Sequence, residues 1–232
     1  MNSDSQSIVR AHLDNGLEVL LQEVHTAPTA SCALWYRVGS RNEKPGLTGL
    51  SHWVEHMQFK GTPAYPAGVP DRLIARSGGT WNASTWLDWT LYEASMPAVR
   101  IDLPLRLEAD RMAHSIFDPE AVEAERAVII SERQGNENSP SFRLIEAVQS
   151  DGFQFHPYRN EVIGRMEDLE RITRQDLYDH YRRYYVPSNA VLAVAGHFNA
   201  SEMLAMIAEL FGEIPPQPEP TDSIPVEPPM EG

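Results

Sequence analysis

Cysteine, basic residues and long apolar runs are all scarce in this sequence. The single cysteine, Cys32, cannot form an internal disulfide, and the apolar segment around it indicates a buried, unreactive thiol. No run of eighteen apolar residues occurs, so we expect no helix that spans a membrane. The 19 lysines and arginines are outnumbered by 33 acidic residues, which gives a net charge of −14. This balance argues against nucleic acid as a partner, because phosphates require a basic surface.

The first seven residues carry neither the basic nor the apolar region of a signal peptide. Together with the scarcity of cysteine, this predicts a cytoplasmic protein, with the periplasm as the alternative. The net negative charge has two interpretations, and the sequence does not choose between them. It can serve solubility alone, or it can mark a cleft that prefers cationic peptides.

Apolar periodicity and turn signals predict a mixed α and β chain. A proline-rich segment follows the last predicted helix, with seven of the 18 prolines between Pro215 and Pro229. We therefore expect one domain at residues 1–212 and an extended, solvated linker at 213–232 that leads towards an absent second domain. The predicted strands are 8–13, 17–24, 29–38, 80–84, 88–96 and 189–197, and the predicted helices are 47–59, 69–75, 101–116, 118–135, 141–151, 173–185 and 199–211.

The segment His52-Trp53-Val54-Glu55-His56 carries the clearest chemical signal. On a helix, His52 and His56 lie one turn apart on one face, a spacing at which two imidazoles can bind one zinc ion. Glu55 leans over the same face, where a carboxylate can take a proton from metal-bound water. Ionisable groups in so apolar a segment are costly without a partner, so a metal site is favoured over chance spacing.

A third zinc ligand must come from elsewhere, because catalytic zinc usually has three protein ligands and one open position. Glu125 and Glu132 form one helical stripe with Val128 and Ile129. A face with valine and isoleucine is expected to be buried, and a buried carboxylate needs a partner such as zinc. Salt bridges to Arg111, Arg126 or Arg133 are the alternative. The spacing alone does not choose between the two glutamates.

Several segments together resemble the pitrilysin-type metallopeptidases, the family of insulin-degrading enzyme and the mitochondrial processing peptidase. They are the histidine pentapeptide, Gly61-Thr62, Asn82-Ala83-Ser84-Thr85 and Glu125-Arg126-Ala127-Val128-Ile129. The likeness extends over about residues 8–212. It implies an α+β fold, a two-layer sandwich in which a mostly antiparallel sheet is covered by helices.

The resemblance also implies a site and an activity. One Zn²⁺ would be bound by His52, His56 and Glu132, and Glu125 would support the site from behind the ligands. The protein would be a zinc-dependent endopeptidase that hydrolyses peptides or unfolded polypeptides, with Glu55 as general base on zinc-bound water. The substrate would add as a strand near Asn82 and Ala83. Without the resemblance, Asn82 would be interpreted as a turn or cap residue.

Family members usually carry two homologous halves, and this chain resembles the first. We therefore expect an enzyme that is incomplete without a second homologous domain or subunit, or a homodimeric partner. A non-catalytic scaffold subunit is the alternative, but such a relative should lack ligands, and all the expected positions are present. A lyase of the S-ribosylhomocysteine type would need a cysteine ligand downstream of the histidines, whereas Cys32 lies upstream.

Overall fold

A six-stranded mixed sheet organises the fold, and helices pack against one of its faces. The computed structural model describes residues 8–229. The strands are β1 (Val9–His12), β2 (Glu18–Glu23), β3 (Thr29–Tyr36), β4 (Thr80–Thr85), β5 (Thr90–Pro97) and β6 (Ala190–Gly196). The helices are α1 (Leu50–Met57), α2 (Val69–Arg76), α3 (Asp102–His114), α4 (Pro119–Glu137), α5 (Pro140–Gly152), α6 (Met166–Leu169), α7 (Arg174–Tyr184) and α8 (Ala200–Phe211).

The strand order is β1-β2-β6-β3-β5-β4, and every neighbouring pair is antiparallel except the parallel pair β2 and β6. The turn between β1 and β2 contains Asn15 and Gly16, and Gly16 has the positive φ of 95° that such tight turns require. The mostly antiparallel sheet under a layer of helices confirms the predicted fold class.

Alternation along β3 shows which face of the sheet is covered. Cys32, Leu34 and Tyr36 are buried, whereas Ser31 on the opposite face is exposed. Burial raises the pKa of the Cys32 thiol far above its usual range, which suits the predicted unreactive core position. None of the described helices is long and apolar enough to cross a membrane.

The histidine helix begins at Leu50, three residues later than predicted. Gly49 has a left-handed backbone with φ 93°, which a continuing helix cannot contain. Thr48, two residues before the helix, donates its backbone N–H and its hydroxyl to Asp168, at 3.1 and 2.6 Å. The four-residue helix α6 was not predicted.

The proline-rich tail contains no helix or strand between residues 213 and 229. Most of it is exposed, and two of its carboxylates bind the folded domain. Asp222 accepts hydrogen bonds from Asn42, Arg183 and Tyr184 at 2.7 to 2.8 Å. Glu227 accepts from three successive backbone N–H groups, those of residues 154–156. The tail is therefore attached to the folded domain at two points, Asp222 and Glu227.

Candidate metal centre

Helix α1 is anchored at its N-terminus by a buried carboxylate. The two oxygens of Glu43 accept hydrogen bonds from the backbone N–H groups of Gly49 and Ser51, each at 2.7 Å. These are N–H groups that a helix start would otherwise leave unpaired, and their bonds to Glu43 partly offset the burial that raises its pKa to about 8. Trp53 and Val54 are fully buried, so the helix is also held by the core. The two histidines of α1 thus sit on a fixed support.

The structure brings His52, His56 and Glu132 together, and these are the three predicted ligands. The two Nε2 atoms are 3.2 Å apart, and Glu132 carboxylate oxygens lie 3.9 Å from His52 Nε2 and 3.8 Å from His56 Nε2. Donors around a tetrahedral zinc ion with bonds of about 2.0–2.1 Å are about 3.3 Å apart. Two imidazoles and one carboxylate at these separations fit a zinc ion with small side-chain adjustments.

Glu125 determines which nitrogen of His56 is available. Its Oε1 lies 2.8 Å from His56 Nδ1, and its other oxygen forms a salt bridge with Lys60. Burial raises the pKa of Glu125, but the bonds from His56 and Lys60 outweigh burial, so its pKa lies below the usual value. The ionised carboxylate accepts the Nδ1 proton, which leaves the lone pair of His56 on Nε2, facing His52 and Glu132.

His52 is neutral in this environment. Burial, and after it the neighbouring His56, lower its pKa to about 3. A neutral imidazole retains a nitrogen lone pair, which is the form that binds a metal.

Glu55 lies on the same helix, and its carboxylate reaches the edge of the sheet. Its Oε2 accepts a hydrogen bond of 2.6 Å from the hydroxyl of Thr85, the last residue of β4. Burial raises the pKa of Glu55, and the bond from Thr85 lowers it in part. The residue therefore combines a fixed orientation with a proton affinity above that of an exposed glutamate.

The predicted stripe on α4 divides into a buried part and an exposed part. Glu125 and Ile129 are buried, but the prediction that the whole face is buried was wrong, because Val128 is 50% exposed and Glu132 is exposed as well. The buried line of α4 runs through Glu125, Ile129 and Arg133. Glu132 lies beside this line, where its carboxylate reaches the histidines without being enclosed.

Neither Glu125 nor Glu132 forms a salt bridge with an arginine among the described residues. The three candidate arginines pair elsewhere: Arg111 with Glu108, Arg126 with Glu123, and Arg133 with Glu137 and Glu146.

Asn82 and Ala83 lie in the middle of β4, so the turn or cap interpretation of Asn82 was wrong. They pair with Glu93 and Tyr92 of β5. Because β4 is the last strand in the sheet order, its outer edge has no strand partner among residues 8–229. Such an edge presents unpaired backbone groups to which an extended peptide can add.

Three residues of the site were missed by sequence reasoning. Lys60 lies three residues beyond the end of α1 and pairs with Glu125 on α4, so helical spacing does not suggest this contact. Thr85 lies 30 residues from Glu55 in the sequence. Glu43 lies in the loop before α1, six residues from Gly49, where no helical or strand period connects it to the helix. Their contacts depend on how the loop before α1 and the end of β4 pack against that helix.

Comparison with known proteins identifies the family. The profile described as Insulinase (Peptidase family M16) matches residues 18–165, and that described as Peptidase M16 inactive domain matches residues 171–231. The chain therefore belongs to peptidase family M16, a family of zinc proteases, as the resemblance predicted.

Relatives support the same assignment. An uncharacterized zinc protease of Mycobacterium leprae is 33% identical over 90% of this chain and 47% of its own length. A probable mitochondrial-processing peptidase subunit beta of Arabidopsis thaliana is 30% identical over 91% of this chain and 40% of its own length. The crystal structure of a protease from Helicobacter pylori superposes with a TM-score of 0.88 at 30% identity, covering 96% of this chain and 53% of that one. The chain thus spans about half the length of these relatives.

Proposed function

We propose that this chain is the catalytic half of a zinc-dependent endopeptidase that hydrolyses peptides or unfolded polypeptides. The convergence of the Nε2 atoms of His52 and His56 on the Glu132 carboxylate carries this proposal, since the three donors lie 3.2 to 3.9 Å apart. These residues would hold one Zn²⁺. When bound, the ion supplies Lewis-acid chemistry, which polarises a carbonyl and makes water acidic near neutral pH.

Glu55 would be the general base. It lies one residue from a ligand on α1, and its Oε1 accepts no hydrogen bond from a residue between 8 and 229, whereas Oε2 is bound by Thr85. Oε1 can therefore take the proton of the attacking water and return it to the leaving amine. Glu125 would hold His56 in the tautomer that binds the metal.

The free edge of β4 would bind the substrate as an added strand, alongside Asn82 and Ala83. Backbone pairing of this kind makes few demands on side chains and requires an extended peptide. An unfolded polypeptide meets that requirement, whereas a folded protein does not.

A second homologous half would complete the enzyme, as another domain, another subunit or a second copy of this chain. This chain covers 47% of its Mycobacterium leprae relative and 53% of the Helicobacter pylori protease chain, which leaves room for a segment of equal size. Activity is therefore to be measured in the complete protein.

The test of the proposal is the Glu55→Gln variant of the complete protein. Gln keeps an oxygen that can accept from Thr85 but cannot take a proton, so we expect bound zinc to remain near one ion per site while cleavage of an unstructured fluorogenic peptide falls at least about a thousandfold. Glu209→Gln, an exposed change on the distant helix α8, is the matched control. Undiminished cleavage by Glu55→Gln would show that the base has been assigned wrongly.

A further inference from the structure

Thr85 joins two parts of the candidate site that lie on different elements. It is the last residue of the edge strand β4, and its hydroxyl donates to Glu55 Oε2 on α1 at 2.6 Å. A hydrogen bond of this length to a carboxylate belongs to the strong, charge-assisted class. The contact spans 30 residues of sequence, so it arises from the packing of β4 along α1.

The orientation of β4 explains why this hydroxyl reaches the helix. Residues of the strand alternate between its faces: Trp81, Ala83 and Thr85 are half-buried, whereas Asn82 and Ser84 are exposed. Trp81, at the far end of the same face, packs edge-on against Phe59 with ring centroids 5.0 Å apart. The inner face of β4 is thus fixed against the α1 region at both ends, so the Thr85 hydroxyl has little freedom to leave Glu55.

The two carboxylate oxygens of Glu55 have different surroundings. A threonine hydroxyl has one proton to donate, and it is given to Oε2. Oε1 accepts no hydrogen bond from any residue between 8 and 229, so it is the oxygen that remains free. Rotation of the carboxylate would break the bond, so the orientation of Oε1 is fixed as well.

We propose that Thr85 is a positioning residue, which holds the Glu55 carboxylate with Oε1 towards the attacking water and ties it to the strand on which the substrate is bound. This rests on the proposed endopeptidase function. A peptide paired with β4 would have its position along the strand set by β4. The same strand holds Glu55 through Thr85, so β4 would fix the position of the base relative to the scissile bond. Thr85 thus aligns the base with the substrate without contacting either the substrate or the metal.

The experiment compares Thr85→Val and Thr85→Ser in the complete, zinc-loaded protein, with an unstructured fluorogenic peptide as substrate. Valine keeps the shape and the strand preference of threonine but has no hydroxyl, so we expect kcat to fall about 10- to 100-fold with KM changed less than about twofold. Serine restores the donor, so we expect its kcat within about threefold of the parent. Zinc content and melting temperature are measured for each variant.

Thr29→Val is the matched control, because Thr29 is an exposed threonine at the start of β3. Its kcat should equal that of the parent. If Thr85→Val does not fold, Thr85→Ala replaces it, and the ratio between the serine and alanine variants isolates the hydroxyl.

The results separate this inference from the function on which it rests. If Glu55→Gln is inactive while Thr85→Val retains full kcat, the endopeptidase assignment stands and the role of Thr85 is refuted. If serine does not restore kcat, the hydroxyl is not the operative group and the inference also fails. If the parent shows no zinc-dependent cleavage, both proposals fall together.

Discussion

The two sides of helix α1 differ in how completely their polar groups are paired. On the side towards α7, the Ser51 hydroxyl lies 3.2 Å from His180 Nε2, and Glu43 accepts two backbone bonds, so each of these buried groups has a partner. On the side towards α4, His52 and His56 direct nitrogens at an exposed Glu132 that stays 3.8 to 3.9 Å away. Buried polar groups are normally paired, so the incompletely paired side is where an additional group is expected.

Contacts on the α7 side therefore fix the helix, whereas the α4 side presents histidine nitrogens that can bind a metal ion. Two glutamates of α4, Glu125 and Glu132, show the same difference in burial and pairing. Glu125 is buried between His56 and Lys60, whereas Glu132 is exposed, although the two lie within two turns of one helix. Stability should accordingly depend on the buried, paired residues and much less on Glu132. Substitutions at Glu43, Glu125, Glu132 and His180 test this.

Removal of the Glu43 side chain should have the largest effect. Glu43→Ala leaves two buried backbone N–H groups at the start of α1 without acceptors, so we expect a loss of about 4 kcal/mol in the free energy of unfolding. Urea denaturation of the metal-free protein measures it. Glu209→Ala, an exposed glutamate on α8, is the control and should change stability by less than about 0.5 kcal/mol.

If Glu43→Ala unfolds at the same urea concentration as the parent, the N-terminus of α1 is held by other contacts. The proposed difference between the two sides of the helix would then be lost.

The glutamates of α4 should separate stability from zinc affinity. Glu125→Ala removes the partner of Lys60 and of His56 Nδ1, so we expect the metal-free protein to lose about 3 kcal/mol. Glu132→Ala removes an exposed carboxylate and should cost less than about 0.5 kcal/mol. Both should weaken zinc binding at least about tenfold, measured by competition with a chromogenic chelator. Equal stability losses in the two variants would contradict the contrast.

The smallest effect is a pH dependence on the α7 side. Burial lowers the pKa of His180 to about 3, below the value of about 6.5 for an unfolded histidine. As the pH falls below about 6.5, the unfolded chain binds a proton that the folded chain does not, so stability is complete above this pH and is lost progressively towards pH 3. His180 should account for a loss of about 2 kcal/mol at pH 5.

The His180→Gln variant isolates this contribution. Its stability should change between pH 7.5 and pH 5 by about 2 kcal/mol less than that of the parent, whereas His12→Gln, at an exposed position of β1, should follow the parent. An identical pH dependence in parent and His180→Gln would mean that His180 takes up its proton in the folded state.

Local patterns predicted much of this molecule. The spacing of apolar residues predicted the positions of the strands and of the longer helices. Each element buries one face, so apolar residues recur every second position in a strand and every three or four positions in a helix. The pentapeptide placed two imidazoles on one helical face, and the structure brings them together. Boundaries were less predictable: the start of α1 depends on Gly49 and on a carboxylate 120 residues away, Asp168.

What the sequence by itself determined was the set of reactive side chains and the mixed α and β character of the chain, since both follow from residue types at short, regular spacing. The two-layer fold was implied by the resemblance to the pitrilysin-type metallopeptidases. Only the tertiary structure decided which distant groups meet. It placed Glu132 opposite the histidines on an exposed surface that its apolar stripe had predicted to be buried, and it brought Lys60 to Glu125 and Thr85 to Glu55. Contacts of this kind depend on the angles and distances at which α1, α4 and β4 pack, and no local pattern in the chain encodes them.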